Sequence, residues 1–204
     1  MKTASLAALL VLTLTLASLS HAQEPKAAAA PKVPAFPTAD DYTALRMAFA
    51  AQPGFNPFWN MDTERSAIFT AIRSKDFPKA IALARPWLEK VPVDAEVHYL
   101  CGHFLKKTGD IPGSMQHFHC FYGLMRSITS TGDGKTAKTA WKVISVSEEY
   151  ALLNEIDAEL IDQSLIDNCD KMHVKLPDGT ETDFYFDVSI SLGATASQFA
   201  PDKK

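Results

Sequence analysis

The sequence predicts an α+β protein in which N-terminal helical hairpins precede a small antiparallel sheet. Three observations carry this. Apolar residues recur at helical spacing through residues 38–131. Two tracts within that stretch, Lys75–Ala80 and Gly109–Ser114, align with their aspartates 34 residues apart, Asp76 to Asp110. From residue 139 to 193 β-formers and a Pro-Asp-Gly turn signal take over.

Taken in order, residues 1–22 read as a signal peptide. Lys2 supplies the positive start, Leu6 to Leu16 the apolar core, and Ser20-His21-Ala22 the small residues before a cut. The apolar run falls short of the ~20 residues of a spanning helix, so no stable membrane span is expected after signal removal. A periplasmic or secreted location follows. Residues 23–37 form a Pro/Ala-rich linker with almost nothing to bury. Residues 38–198 suit a single α+β domain, and residues 199–204 a flexible tail.

Thr38 followed by Asp41 signals a helix start, and Tyr42, Leu45, Phe49 and Ala50 continue it until Gln52-Pro53-Gly54. Phe55-Asn56-Pro57-Phe58-Trp59 reads as an ordered aromatic loop packed on the helices. The 34-residue period is that of a tetratricopeptide helix pair. Gly102, Gly109, Asp110 and Phe118, with Ala80, Ala84 and Pro92, fall where that unit often carries the same types. Ile68 and Ser114 depart from it. Two tetratricopeptide-like units are fewer than a self-standing stack needs, so another element must cover their faces. Pro86 should kink its helix.

Gly132-Asp133-Gly134 is expected to stop the helical part, with Gly132 in a left-handed turn. Trp141 to Val146 reads as a strand, extended through Tyr150, with a helix through Leu153 as the alternative. Met172–Leu176, the turn Pro177-Asp178-Gly179-Thr180, and Phe184–Ser191 read as a hairpin. Phe184, Phe186, Val188 and Ile190 would share its buried face, and the chain after Gly193 should fray.

The net charge of −4 and pI of 5.8 give no reason to expect nucleic acid. Gly134-Lys135-Thr136 mimics a Walker A ending, but Thr129 stands where that loop needs glycine, so nucleotide binding is not expected either. No cofactor is implied. Cys101, Cys120 and Cys169 read as buried thiols, with Cys101 and Cys120 the pair best placed to bridge. Nothing in the sequence assigns a reaction.

Four histidines, His98, His103, His117 and His119, fall in one helical hairpin. If the turn centres near Asp110, His103 faces His117, and they read as histidines bonded to neighbouring groups. The enzymatic alternative is a small metal-dependent or hydrolytic protein using this cluster with Asp133 or Glu148. Glu148 and Glu149 diverge on either secondary structure, and one of them could pair with Lys135. The preferred reading is a module that binds a protein or peptide partner on the concave face of the helix pairs. Glu96, Tyr99, His103 and Lys106 would line that face. His117, His119, Asp133, Lys135, Thr136 and Glu148 mark a second candidate region around the glycine loop.

Gly132-Asp133-Gly134-Lys135-Thr136, followed by Thr139-Ala140, Val143-Ile144 and Glu148-Glu149-Tyr150, resembles a bacterial exported family known as a domain of unknown function. Further similarities are Asp40-Tyr42-Leu45-Arg46, Val93-Asp94-Ala95, Asp170-Lys171-Met172 and Tyr185-Phe186-Asp187. The resemblance implies an α+β globular protein and no activity.

Overall fold

The computed structural model describes residues 38–198, so the expected signal peptide, the linker and the 199–204 tail lie outside the described residues. Helices come first and the sheet second. The first helix, α1 (Ala39–Ala50), starts in a capping box. The Thr38 hydroxyl accepts from the Asp41 amide, and the Thr38 amide donates to the Asp41 carboxylate at 2.6 Å. Beyond it, Phe49, Phe55 and Trp59 pack edge to face with centroids 5.7–6.3 Å apart. The aromatic loop is therefore ordered, as its ring content led us to expect.

Four helices follow: α2 (Thr63–Arg73), α3 (Phe77–Lys90), α4 (Ala95–Thr108) and α5 (Ile111–Thr129). Each begins on an aspartate, Asp62, Asp76, Asp94 and Asp110, whose side chain accepts from a first-turn amide. Gly109, at φ 87°, closes α4 in the left-handed conformation and turns the chain into α5. Helix α2 packs on α3, α3 on α4, and α4 on α5, while α1 lies along α5. That last contact depends on Gly123. A Cβ there would stand 2.1 Å from the Tyr42 ring. Helix α3 runs through Pro86 as one element.

Among the described residues the sheet has four strands in the order β1 (Trp141–Lys142), β4 (Glu181–Asp187), β3 (Cys169–Lys175) and β2 (Glu159–Ile166). Strands β2, β3 and β4 are antiparallel, and the two-residue β1 joins β4 in parallel, making the sheet mixed. Met172, Val174 and Phe186 close one core with Leu124, Ile128, Val143, Ile144, Leu152 and Leu153. Among the described residues no helix is long and apolar enough to cross a membrane.

Several expectations need correction. The long strand to Tyr150 does not form: after Lys142 the chain turns and enters α6 (Val146–Glu155). Ser145 is the reason, because its hydroxyl accepts from the Glu148 amide and so starts a helix. That helix buries Ala151, Leu152 and Leu153. Strand β4 stops at Asp187, whose carboxylate accepts from the Ser189 amide, and α7 (Ser189–Gln198) follows instead of strand and frayed tail. Val188 is still buried, but Ile190 is not on the strand. Strand β2 lacks clean alternation, which hid it from the sequence reading; it is an edge strand with a bulge between Leu160 and Asp162.

The glycine loop is also built differently. Helix α5 ends at Ser130 in a right-handed cap, and the left-handed residue is Gly134, at φ 68°, with the Trp141 indole against it. Gly132 is required by close approach, since a Cβ there would lie 2.2 Å from the Thr139 carbonyl. Gly134 donates to the Thr139 carbonyl at 2.8 Å and accepts from the Tyr185 amide at 2.8 Å. The loop is thereby sewn to both flanking segments. Gly134→Val is expected to cost roughly 2–4 kcal/mol through backbone strain and the clash with Trp141. That corresponds to a fall of about 5–15 °C in Tm, and an unchanged thermal melt would refute this account.

Candidate functional site

Helices α4, α5 and α6 enclose a cleft of about 250 Å³. Glu96, Tyr99 and Leu100 come from one face of α4, Phe121 from α5, and Ala151, Asn154 and Glu155 from one face of α6. Its wall is aromatic. Tyr99 lies 4.9 Å from Phe121 by ring centroids, and Phe121 lies 5.1 Å from Tyr122. His103 stacks edge-on against Tyr99 at 4.4 Å and against Phe118 at 4.9 Å. Of the four residues expected on the concave face, Glu96 and Tyr99 line the cleft and His103 buttresses Tyr99. Lys106 is exposed on the last turn of α4.

The cleft is acidic. Glu96 receives a 2.6 Å bond from Arg65, which also donates to Asp94 at 2.7 Å. Asp94 in turn accepts from the Trp87 indole at 2.8 Å and caps α4. One guanidinium thus serves two carboxylates, and one negative charge is left over. Among the described residues Glu155 has no side-chain hydrogen bond or ion pair, and burial followed by the charge of Asp157 raises its carboxyl above the ordinary value. No lysine, arginine or histidine among the described residues lines the cleft.

The histidines do not converge. His98, not His103, meets His117, with their Nδ1 atoms 3.0 Å apart. The Nε2 of His98 faces the Pro92 carbonyl at 3.2 Å and must carry a proton to bond to it. Its bare Nδ1 then accepts the Nδ1–H of His117. Burial lowers the pKa of His98 to about 4, so this neutral pair ties α4 to α5. His119 lies edge-on to Tyr42 at 6.2 Å on the opposite side of α5. Among the described residues no group of three or more His, Cys, Asp or Glu side chains could hold a metal ion. Cys101, Cys120 and Cys169 are free thiols, Cys101 and Cys169 buried and Cys120 half-buried, so the buried-thiol expectation holds and Cys101 and Cys120, the pair best placed to bridge, are not linked.

Around the glycine loop, the Asp133 carboxylate accepts from the Lys135 amide at 3.0 Å, and Thr136 caps the short 3-10 turn Ala137–Thr139. Glu148 does not pair with Lys135. It is buried in a bidentate pair with Arg46, because α6 turns it inward beneath α1. Sequence reasoning missed Phe121, Tyr122 and Glu155 as site residues. Reading residues 141–150 as a strand removed the helix that carries Glu155 to the cleft. The spacing of Ala151, Leu152 and Glu155 was the available signal.

The chain matches, over residues 34–197, the family described as a domain of unknown function, DUF4919. It belongs to this family. The α+β architecture that the resemblance implied is the one observed. The chain matches no curated protein and no solved structure.

Proposed function

We propose that this family member is an exported partner-binding module, a tetratricopeptide-like pair of helical hairpins that docks a peptide segment of another protein. Export to the periplasm or beyond rests on the N-terminal signal-like sequence. The observation that carries the binding reading is the α4–α5–α6 cleft together with the apolar stripe leading from it. Ile111, Met115 and Tyr122 recur on one face of α5 and are 48, 59 and 45% exposed. Large apolar side chains held in water along one face, beside an aromatic-walled cleft, are the features of a helix-groove docking surface.

A displayed peptide library selected on the purified mature chain tests this. Enrichment of a shared sequence is expected, lost in an Asn154→Trp variant. Asn154 is exposed on α6 and lines the cleft, so the indole blocks the site without entering the core. Absence of enrichment, or equal enrichment on a folded Asn154→Trp variant, counts against the proposal.

A further inference from the structure

We infer that the cleft between α4, α5 and α6 selects a basic side chain, a lysine or arginine presented by the docked peptide with apolar residues beside it. The inference rests on the partner-binding reading and names the chemistry of its ligand.

Charge complementarity is the first argument. Among the described residues two carboxylates, Glu96 and Glu155, line the cleft, and no cationic side chain lines it. Arg65 is the cation bound to Glu96, and it is shared with buried Asp94, so that group keeps a net negative charge. Asp157 follows two residues beyond Glu155 and repels it. An anionic ligand would add a further like charge at a partly desolvated site, and a cation relieves the repulsion already there.

The second argument is the wall. Half-buried Tyr99 presents ring surface to the cleft with buried Phe121 packed behind it, and aromatic faces attract ammonium and guanidinium groups. Carboxylates at the rim with aromatic rings on the wall form a site complementary to a long aliphatic stem ending in positive charge. The third argument separates a peptide from a free organic cation. Tyr122 packs on Phe121 at 5.1 Å and on Phe118 at 6.4 Å, and helical spacing puts exposed Met115 and Ile111 further along the same face of α5. A free cation leaves that stripe bare, whereas a peptide with apolar neighbours covers it.

Titration calorimetry of the full mature chain tests the inference with blocked pentapeptides acetyl-Leu-Ala-Lys-Ala-Leu-amide and its norleucine counterpart. The lysine peptide is expected to bind at least about fivefold more tightly, with an advantage that shrinks as salt rises. Glu155→Gln, a change at an exposed position, should abolish most of that advantage. Equal binding of the two peptides overturns the cation inference and leaves the docking reading standing. Acetyl-lysine-methylamide binding as tightly as the pentapeptide overturns the peptide assignment in favour of a free-cation site. Library selection of sequences lacking basic residues also defeats the inference alone. Failure of both the pentapeptides and the library defeats the docking reading with it.

Discussion

Arg46→Ala is expected to destabilise the protein by roughly 3–5 kcal/mol, a fall of about 6–20 °C in Tm. Arg46 is wholly buried on α1. Its Nε and Nη2 donate to the two oxygens of Glu148 at 2.7 and 2.6 Å. Its remaining donors reach the Lys142 carbonyl at 2.7 Å and the Ser127 hydroxyl at 3.2 Å. Glu148 also accepts from the Ile144 amide at 2.9 Å. One guanidinium therefore joins α1, α5, β1 and α6 at the seam between the helical part and the sheet. Alanine would leave Glu148 buried with a single backbone donor, and that uncompensated charge, more than the lost contact, sets the cost. An Arg46→Met, Glu148→Leu double variant should recover much of the loss, because it removes both charges and keeps volume. Denaturant melts of the three proteins decide the matter. An Arg46→Ala midpoint equal to wild type would show that the pair holds nothing.

Much of this fold is legible locally, and the reason is visible in the residues that were read correctly. The Thr38–Asp41 box, the Asp76 and Asp110 caps and the Asp178-Gly179 turn each act within a few positions of themselves. The misreadings share a cause of the opposite kind. Val143-Ile144-Ser145-Val146 has strand-like composition, and although Ser145 starts the helix locally, the burial of Glu148 on it depends on an arginine 102 residues away. Gly132 and Gly123 look like any glycines in sequence, and only the approach of Thr139 and Tyr42 makes their hydrogens necessary. The cleft lies between these cases. Tyr99 and Glu96 could be placed by helical register, but Glu155 reaches them only through the tertiary docking of α6 on α4. Several runs that carry the family resemblance land on such ties: Tyr42 and Arg46, Asp94, Gly134, Glu148, and Asp170 beside Glu149. They tie helices to one another or to the sheet, and none of them lines the cleft.

Glu149→Gln is expected to stabilise the protein increasingly as pH rises. Glu149 is fully buried on α6, and burial first, then the charge and hydrogen bonding of Asp170 and the charge of Glu148, push its carboxyl up to about 9. Among the described residues no donor reaches either of its oxygens. Its neighbour Asp170 already accepts from Gln163 at 2.9 Å, so only a protonated Glu149 can bond to it. In the unfolded chain the same carboxyl titrates at its ordinary value of 4.5. Between these two values the native state holds a proton that the unfolded state has released, so stability falls as pH rises through that window. Each unit costs about 1.4 kcal/mol, which accumulates to roughly 3 kcal/mol at pH 7. Glutamine keeps the shape and supplies an amide donor for Asp170 without a proton to lose. Wild type and variant should therefore be nearly equal in stability at about pH 4.5 and diverge in favour of the variant up to about pH 9, where the difference levels off. Other titrating groups, including the His98–His117 pair, are common to both proteins and cancel in the comparison. Urea midpoints measured across that range give the test directly. A gap that stays constant with pH would mean that Glu149 ionises alike in the folded and unfolded chain, and the buried acid would then have to be held by a donor that this fold does not place beside it.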